Sequence, residues 1–446
     1  MSIKSQIAKS LGRLSHWALT NFTNGGSSFP GKLASTIDPH ILGHLAKDYD
    51  VAIITGTNGK TLTTALASQA LKQIHSHIVT NSSGSNMSQG IISTFLDAPK
   101  VPENSRGMAV LEVDEGSLKN VVKYLKPKII VQTNLFEDQL DRYGSLGAIY
   151  QLLVDAAIEA PNALIISNAD CPILNSKDLP NPRKYFGFQA FDNHHEDSDQ
   201  VDHLLCPLCQ EPLSYQGQTY GDLGDYYCTH CFFKRPPLDY AVTSIDQMTL
   251  EGSQFTINDV FIQVPVAGLY NIYNALAAFS LAHYLGVPAE DINHSFQISE
   301  RVFGRQEKIE LHNHDLLLNL VKNPVGFNQV VDLLGLDHSP SILVTLFNNN
   351  YADGKDVSWF KDANFEAFKF MPIKAIYTAG SQKDALKERF EVAGFDPDHI
   401  TEIDLLDDLL NIIKESPYQR VHVLASYTGT LELRKLLMAK GFIKTA

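Results

Sequence analysis

The sequence predicts an α/β protein with two domains, each built on a parallel sheet, and a small cysteine-rich insertion in the first domain. Three observations lead to this prediction. Short apolar runs alternate with helical stretches in two separate regions, a glycine-rich loop follows the first apolar run, and four of the 5 cysteines form two close pairs. Buried strands that alternate with helices are typical of parallel sheets covered on both faces. The 446 residues also exceed the size of one ordinary hydrophobic core.

The composition is that of a globular protein that does not span a membrane. Hydrophobic residues make up 44% and charged residues 19% of the chain, and no apolar run approaches the length that crosses a bilayer. The N-terminus has positive charge but lacks the apolar core and cleavage site of a signal peptide, so we expect a cytoplasmic protein. The net charge of −14 disfavours nucleic acid as a partner, since such binding needs a basic face.

The first predicted element is an amphipathic helix over residues 3–22. Apolar residues recur on one of its faces at helical spacing. They are Ile3, Ile7, Leu11, Leu14, Ala18, Leu19 and Phe22. We favour packing of this face on the helix's own domain, and the alternative is peripheral contact with a membrane surface.

The two regions of alternation define the domains. The first, 1–307, contains the runs VAIIT, MAVLEV, KIIVQTN and ALIISN, and the second, 308–446, contains LLLNLV, SILVTLF, IKAIYTA and VHVLAS. The rhythm of the first domain stops over 185–238, where we place the insertion. The second domain has no glycine fingerprint, so we expect no dinucleotide site there.

The loop TGTNGKT, which follows the first strand and opens a helix, is expected to bind the phosphates of ATP. Its glycines let backbone N–H groups close around phosphate oxygens, Lys60 supplies a positive charge, and the hydroxyl of Thr61 can hold Mg²⁺. The general P-loop has another glycine at the position of Ile54. The candidate nucleotide-binding residues are Gly56, Thr57, Asn58, Gly59, Lys60 and Thr61.

Four cysteines have the spacing of a metal site. Cys206 and Cys209 form one Cys-x2-Cys pair, and Cys228 and Cys231 form the other. Two such pairs supply the four thiolates of a tetrahedral Zn²⁺ site. Because four cysteines leave no open position for a substrate, the predicted zinc is structural. The fifth cysteine, Cys171, is expected to be buried.

The P-loop G-T-N-G-K-T without the outer glycine resembles that of the Mur ligases and the folylpolyglutamate synthetases. These enzymes make an acyl phosphate from a carboxylate and ATP, and an amine then displaces phosphate to give an amide. The resemblance implies that Glu112, in EVDEGS, is a catalytic ligand of Mg²⁺, with Glu115 in reserve. It also implies that Asn271, in GLYNIYNALAA, reads the adenine and that Arg305, in FGRQE, either reaches a phosphate at the domain hinge or pairs with Glu307.

Two other segments match the Mur ligases in part. TNLFEDQLDRYG has Gln139 where the family has a histidine, and it retains Asn134, Asp138, Asp141 and Gly144. Val154 occupies the register of the family's carbamylated lysine, so we assign no two-metal mechanism. NLVKNPVGF keeps only Asn323 and Pro324 of the family's D-Y-A-H-N-P. About fifty residues precede the P-loop, so the UDP-sugar domain of the soluble ligases is not expected.

The second domain extends the resemblance. NNNYADGKDVSWFKDANFE is similar to the D-G-x-D-x-S-W segment of the MurT family, the Mur-like subunits of lipid II isoglutaminyl synthase, and ASYTGTLELRKLL is similar to its C-terminus. The chain is thereby identified as a member of that family. The implied fold is a Mur ligase-type central P-loop ATPase domain with an inserted zinc ribbon, followed by a Rossmann-like C-terminal domain.

The MurT resemblance implies ATP-dependent amidation of the D-glutamate α-carboxylate of the lipid II stem peptide to D-isoglutamine. Ammonia would come from a GatD-like glutamine amidotransferase subunit in a heterodimer. Asp356, or alternatively Asp353, would be the orienting acid of that partner's catalytic triad.

Two other functions stay open from the sequence. One is an amino-acid-adding ligase of the Mur or folylpolyglutamate type, which the altered motifs argue against. The other is a non-ligase module in which the P-loop and the ribbon grip nucleic acid, which the acidic charge argues against.

Overall fold

The structure is a computed structural model, and it describes residues 2–22, 28–81, 85–136, 145–189, 204–298 and 306–443. Three helices precede the first strand, and they are α1 (Ile3–Phe22), α2 (Phe29–Ile37) and α3 (Ile41–Ala46). Within the described part of the chain, no helix is both long and apolar enough to cross a membrane.

The first domain is built on a nine-stranded sheet. Its strands are β1 (Tyr49–Thr55), β2 (Ile78–Thr80), β3 (Gly107–Glu112), β4 (Ile129–Gln132), β5 (Leu164–Asn168), β6 (Arg183–Phe188), β9 (Tyr240–Thr249), β10 (Gly252–Ile257) and β11 (Val260–Val264). The order is β11-β10-β9-β6-β5-β4-β1-β3-β2. In this sheet the pairs β2–β3, β3–β1, β1–β4, β4–β5, β5–β6 and β6–β9 are parallel, and the pairs β9–β10 and β10–β11 are antiparallel.

Helices cover both faces of this sheet. They are α4 (Lys60–Leu71), α5 (Ser88–Asp97), α6 (Glu115–Leu125), α7 (Leu146–Glu159), α8 (Leu269–Tyr284) and α9 (Ala289–Gln297). Every residue of β3, β4 and β5 is buried. Continuous burial explains why these strands appear in the sequence as unbroken apolar runs rather than as alternating patterns.

The cysteine-rich ribbon is a separate small unit between β6 and β9. Its two antiparallel strands are β7 (Leu213–Gln218) and β8 (Gly224–Cys228). It has its own hydrophobic cluster, which includes Leu213, Tyr226 and Phe233. The predicted start of the insertion at 185 was too early, because β6 pairs with both β5 and β9 in the main sheet. The inserted segment therefore follows Phe188.

The second domain has a six-stranded sheet in the order β12-β13-β17-β14-β15-β16. The strands are β12 (Glu307–Leu311), β13 (His314–Leu320), β14 (Ser341–Leu346), β15 (Ile373–Ala379), β16 (Ile400–Ile403) and β17 (Arg420–Ala425), and the helices are α10 (Pro324–Leu334), α11 (Lys383–Val392), α12 (Leu406–Glu415) and α13 (Tyr427–Ala439). All pairs except β12–β13 are parallel. Leu317 packs in one core and Leu316 and Leu318 in another, as alternation across a sheet requires. The predicted α/β class with two parallel-sheet domains is confirmed.

Helix α1 faces the opposite way from the favoured prediction. It buries its small residues Ser5 and Ala8, and a Cβ on Gly12 would lie 2.7 Å from Leu96 Cδ1 of α5. Its large apolar residues are exposed, namely Ile3, Ile7, Leu11, Leu14 and Trp17. The expectation that this apolar face packs on its own domain is therefore wrong for Ile3, Ile7, Leu11 and Leu14.

Candidate active site

The P-loop connects β1 to α4 at the carboxyl edge of the first sheet. Gly56 has φ 130° and Gly59 has φ 86°, which side chains rarely adopt. A Cβ on Gly59 would lie 1.9 Å from Asn274 Oδ1, and one on Gly56 would lie 2.3 Å from Thr133 Oγ1. Both positions therefore need glycine for conformational and steric reasons.

Thr133 and Asn134, which directly follow β4, hold the loop in shape. Thr57 N donates to Asn134 O at 2.9 Å, and Asn58 N donates to Asn134 Oδ1 at 2.9 Å. Asn58 O accepts from Thr133 Oγ1 at 2.9 Å and from Asn134 Nδ2 at 3.1 Å. Asn134 thus acts on the P-loop backbone. The N–H groups of Thr57 and Asn58 are already used, which leaves the start of α4 to face a phosphate.

Lys60 is buried within its own loop. Its Nζ donates to Thr57 O and Glu115 Oε1, each at 3.2 Å, and to Gly56 O. Burial acts to lower the pKa of Lys60, but the carboxylates of Glu115, Glu112 and Asp114 outweigh it and raise the pKa. Lys60 is therefore a cation at neutral pH, and a bound phosphate would compete with these oxygens for it.

Glu112 is the last residue of β3 and is 4% exposed. Its Oε1 accepts from Asn86 Nδ2 at 3.1 Å. Its backbone is fixed by Asn81, which accepts from Glu112 N at 2.9 Å and donates to Glu112 O at 2.7 Å. Since β3 neighbours β1, Glu112 and the P-loop share one edge of the sheet. Asn81 and Asn86 could not be predicted, because they lie in a polar stretch without a recognisable motif.

Glu112 and Thr61 offer oxygen atoms, which are the ligands that Mg²⁺ prefers. Thr61 lies in the first turn of α4 and is half-buried. Glu115, the reserve candidate, is instead the ion-pair partner of Lys60 at the start of α6. The donor set therefore fits Mg²⁺ better at Glu112 than at Glu115. Val154 is buried in α7 and offers no ligand.

Asn271 lies in α8, one turn before Asn274, whose side chain lies against Gly59. It is 2% exposed, its Nδ2 donates to Ala267 O at 2.8 Å, and its Oδ1 accepts from Asn274 Nδ2 at 3.3 Å. Gln306, which was not predicted as a site residue, also holds this region, since its Oε1 accepts a hydrogen bond from Ala267 N at 2.9 Å. The other predicted site residues Arg305, Asp138, Gln139, Asp141 and Gly144 lie outside the described residues.

A pair of asparagines joins the second domain to the P-loop. Asn58 Nδ2 donates to Asn323 Oδ1 at 3.4 Å, and Asn323 Nδ2 donates to Asn58 Oδ1 at 3.2 Å. Asn323 also caps α10 by accepting from Gly326 N at 2.8 Å. The same residue thus begins a helix of the second domain and contacts the phosphate-binding loop of the first.

The four cysteines of the ribbon converge, as their spacing predicts. The Sγ atoms of Cys206 and Cys231 are 3.6 Å apart, those of Cys209 and Cys228 are 3.5 Å apart, and all four lie within 4.8 Å of one another. Four thiolates around Zn²⁺, with Zn–S bonds of about 2.3 Å, would be separated by roughly 3.8 Å. The cluster therefore fits a tetrahedral metal ion. Cys171 lies elsewhere, fully buried, and burial raises the pKa of its thiol.

The ribbon tip is packed against the neighbourhood of the P-loop. The ring of Tyr220 lies 6.0 Å from that of Phe136, and Phe136 N donates to Thr57 Oγ1 at 3.0 Å. The ribbon is also anchored at the buried carboxylate of Asp170, which pairs with Arg235 at 2.8 Å and accepts from Tyr273 OH at 2.6 Å. The ribbon therefore supports the wall of the nucleotide site, which its sequence did not indicate.

The two candidate aspartates lie in the segment 348–366 of the second domain, called the acidic loop here, and their surroundings differ. Asp353 is half-buried, and it accepts from Thr428 N at 2.7 Å and from Thr428 Oγ1 at 2.5 Å. Asp356 is exposed, and its Oδ1 accepts from Ser358 N at 2.8 Å. Hydrogen bonding by Ser358 lowers the pKa of Asp356, so this carboxylate is ionised at neutral pH.

Known proteins match the chain along its whole length. The model of the Mur ligase middle domain matches residues 54–203, and that of the MurT ligase C-terminal matches residues 320–430. The MurT subunit of lipid II isoglutaminyl synthase (glutamine-hydrolyzing) from Streptococcus pneumoniae is 40% identical over 449 residues, covering 100% of this chain and 99% of that protein.

Two solved structures show the same fold. A pseudomurein peptide ligase type C from Methanothermus fervidus has a TM-score of 0.68 at 18% identity, covering 90% of this chain and 81% of that one. The MurF ligase from Thermotoga maritima in complex with ADP has a TM-score of 0.62 at 13% identity, covering 94% of this chain and 86% of that one. The predicted Mur ligase-type fold is confirmed.

Proposed function

We propose, since the chain belongs to the MurT family of lipid II isoglutaminyl synthase subunits, that it is the ATP-dependent synthetase subunit of such an enzyme. It would amidate the D-glutamate α-carboxylate of the lipid II stem peptide to D-isoglutamine. The single observation that carries this proposal is the full-length relative, whose match includes both the P-loop edge and the acidic loop. Because the acceptor is lipid-linked, we place the reaction at the inner face of the membrane.

The reaction has two balanced steps. A carboxylate oxygen of the acceptor attacks the γ-phosphorus of ATP, which breaks the bond to the β-phosphate oxygen and gives an acyl phosphate and ADP. Ammonia then attacks the acyl carbon, the carbon–oxygen bond to phosphate breaks, and a proton leaves the nitrogen. Most of the catalytic task is to stabilise charge on the transferred phosphoryl group.

Lys60 is the group best placed for that task. It is cationic, buried and held 3.2 Å from Glu115, so it is oriented before a nucleotide arrives. Exchange of the carbonyls of Gly56 and Thr57 for phosphate oxygens would keep Lys60 paired and would direct its charge toward the β- and γ-phosphates. The nucleotide-binding residues would be those of the loop from Gly56 to Thr61, and Arg305 would reach a phosphate.

Thr61 and Glu112 would hold Mg²⁺. The ion supplies positive charge that neutralises the phosphates during transfer. Asn86 donates to Glu112 Oε1 and so fixes the direction of the carboxylate, as supporting hydrogen bonds do for metal ligands. Asn271 would contact the adenine after its bond to Ala267 O is exchanged for one to the base.

Ammonia would come from a separate glutaminase subunit of the GatD type. Asp356 would orient the histidine of that subunit's Cys-His pair, because its exposed, ionised carboxylate can reach across an interface. Asp353 suits this role less well, since both of its carboxylate oxygens already accept hydrogen bonds from Thr428.

Zn²⁺ would be bound by Cys206, Cys209, Cys228 and Cys231. Its role would be structural, because four thiolates complete the coordination shell. The metal would hold the ribbon so that Tyr220 packs on Phe136 beside the P-loop.

The proposal is tested by incubating the purified chain with lipid II, ATP, Mg²⁺ and an ammonium salt. Mass spectrometry should show conversion of one carboxyl group of the stem peptide to an amide. Lys60→Ala should abolish the product, whereas Lys119→Ala should not, since Lys119 forms an exposed pair with Asp155. Ligation of a free amino acid in place of ammonia would instead establish the amino-acid-adding ligase.

A further inference from the structure

Helix α1 presents an apolar stripe to the solvent. The stripe consists of Ile3, Ile7, Leu11, Leu14 and Trp17, whose exposed fractions are 78%, 49%, 42%, 60% and 56%. These positions are three or four residues apart, so they share one face of the helix. A helix that packed only for stability would bury these large side chains and expose its small ones.

The opposite face explains how the stripe is kept outward. Gly12 fits against Leu96 of α5 and Ala34 of α2, where a Cβ would lie 2.7 Å and 3.2 Å from their side-chain atoms. Arg13 Nε also donates a hydrogen bond to Leu96 O at 2.7 Å. The small-residue face is therefore the docking face of α1 on the domain, and rotation that buried the stripe would bring large side chains into a space sized for glycine.

The charged side chains of α1 and α2 are all basic. In a chain of net charge −14, the first acidic residue is Asp38, and the preceding segment carries Lys4, Lys9, Arg13 and Lys32. Partial burial and the neighbouring cations Arg13, Lys100 and Lys47 lower the pKa of Lys9, with Asp48 opposing them. Exposed apolar residues flanked by lysine and arginine are typical of a helix that lies in the surface of an anionic bilayer.

Helix α1 also lines a pocket on the face opposite the stripe. A pocket of about 340 Å³ begins at His16 of α1, which pairs with Asp97 of α5 at 2.7 Å. The pocket continues to Ser85 and Asn81, and Asn81 holds the backbone of Glu112. The helix that carries the stripe therefore also lines a pocket that includes Asn81, the residue that supports Glu112.

We infer that the α1 stripe docks the protein on the anionic surface of a lipid bilayer, which places its lipid-linked acceptor within reach. This inference rests on the proposed function only for the identity of the acceptor. Docking itself depends on the stripe and on the basic residues beside it.

The test is sedimentation of the full chain with vesicles of equal parts phosphatidylglycerol and phosphatidylcholine, and with vesicles of phosphatidylcholine alone. We expect binding to the anionic vesicles that weakens with added salt. The triple variant Ile7→Ser, Leu11→Ser, Leu14→Ser should bind about tenfold more weakly or worse, because each lost side chain removes buried apolar area. The matched control is Phe370→Ser, Val392→Ser, Leu405→Ser, which alters apolar residues of the second domain that are more exposed than the three altered in the stripe and should bind as the unchanged chain does.

Two results would overturn the inference. One is equal binding by the stripe variant and the unchanged chain, or no binding by either. The other is that the unchanged chain does not bind vesicles but associates with a second copy or with a glutaminase subunit in size-exclusion chromatography, and that the stripe variant loses this association. The stripe would then be a protein interface. An unchanged melting temperature should show that the exposed substitutions leave the fold intact.

Amidation assays separate this inference from the proposed function. With ATP and ammonium salt, the stripe variant should amidate a water-soluble stem-peptide acceptor at the normal rate and bilayer-embedded lipid II about tenfold more slowly. If neither acceptor is amidated by the unchanged chain, the proposed function fails. If both proteins amidate embedded lipid II equally, only the docking inference fails.

Discussion

The carboxyl edges of the two parallel sheets carry the same kinds of side chain, but they bury them to different degrees. At the first edge, Lys60, Glu112 and Glu115 are all less than 10% exposed and are held by hydrogen bonds within the chain. At the second edge, Asp356 is exposed and held by a turn. Buried, mutually paired charges are suited to chemistry inside one chain, whereas an exposed loop carboxylate is suited to another chain's site.

The largest expected effect comes from removing the buried cation at the first edge. Lys60→Met keeps the apolar stem but removes the charge that would meet the phosphates. Amidation should fall by about 10³-fold, as for loss of a preorganised electrostatic contact, with either ammonia or glutamine as nitrogen source. Equal activity of Lys60→Met and the unchanged chain in the mass-spectrometric assay would contradict the role of this edge.

Asp356→Asn should lower amidation with glutamine as the nitrogen source but not amidation with ammonia. With a glutaminase subunit present, glutamine-dependent amidation should fall by about 10²-fold or more, because the partner's histidine loses its orienting acid. Ammonia-dependent amidation should be unchanged, since the ATP site is in the other domain. Asp362→Asn, another exposed aspartate of this segment, is the control, and a loss of both activities in Asp356→Asn would place this residue in the synthetase reaction itself.

Metal removal tests whether the ribbon supports the first edge. Zinc should be present at one ion per chain by elemental analysis, and Cys228→Ser should lose it. Because Tyr220 packs on Phe136, which bonds Thr57 of the P-loop, this variant should raise the KM for ATP severalfold and lower the melting temperature. A metal-free variant with unaltered ATP kinetics would show that the ribbon acts independently of the nucleotide site.

Asp353→Ala should lower the stability of the fold, whereas Asp356→Asn should lower activity. Asp353 joins the acidic loop to the start of α13 through Thr428. Loss of these charge-assisted hydrogen bonds should reduce the free energy of unfolding by about 2 kcal/mol. Urea titration measures this change, and a stable Asp353→Ala variant that fails only with glutamine would exchange the roles of the two aspartates.

The smallest expected effect is a pH dependence at the ribbon tip. Burial raises the pKa of Asp222 to about 7, and its buried Oδ1 lacks a hydrogen-bond partner in the described part of the chain. A carboxyl with a raised pKa in the folded state favours folding at low pH, and that contribution is lost as pH rises from the unfolded pKa toward about 7. The loss should be on the order of 1 kcal/mol, since the residue keeps some exposure. Thermal melts at pH 5 and pH 8 measure this loss as a difference in melting temperature. Asp222→Asn should reduce that difference, and an unaltered difference would mean that other groups cause it.

The sequence determined the fold class and the positions of the P-loop and of the cysteine cluster, because these follow from local patterns. A glycine-rich loop between a strand and a helix implies Gly56, Gly59 and Lys60, and the spacing of two cysteine pairs implies a metal cluster. These signals are short-range, so a single sequence contains them in full. Asn323 was visible only as a remnant of a motif, and its contact with Asn58 could not be inferred, since it joins positions 265 residues apart.

Only the tertiary structure decided which residues of a sequence pattern are buried and which are exposed. Periodicity placed the apolar residues of α1 on one face but could not say that Gly12 and Ala8 would take the domain side and leave Leu11 and Leu14 exposed. The family resemblance favoured Asp356 and kept Asp353 as the alternative, and only the structure shows that Asp353 already accepts hydrogen bonds from Thr428. Burial and long-range hydrogen bonds depend on which elements meet, and local sequence patterns do not specify those meetings.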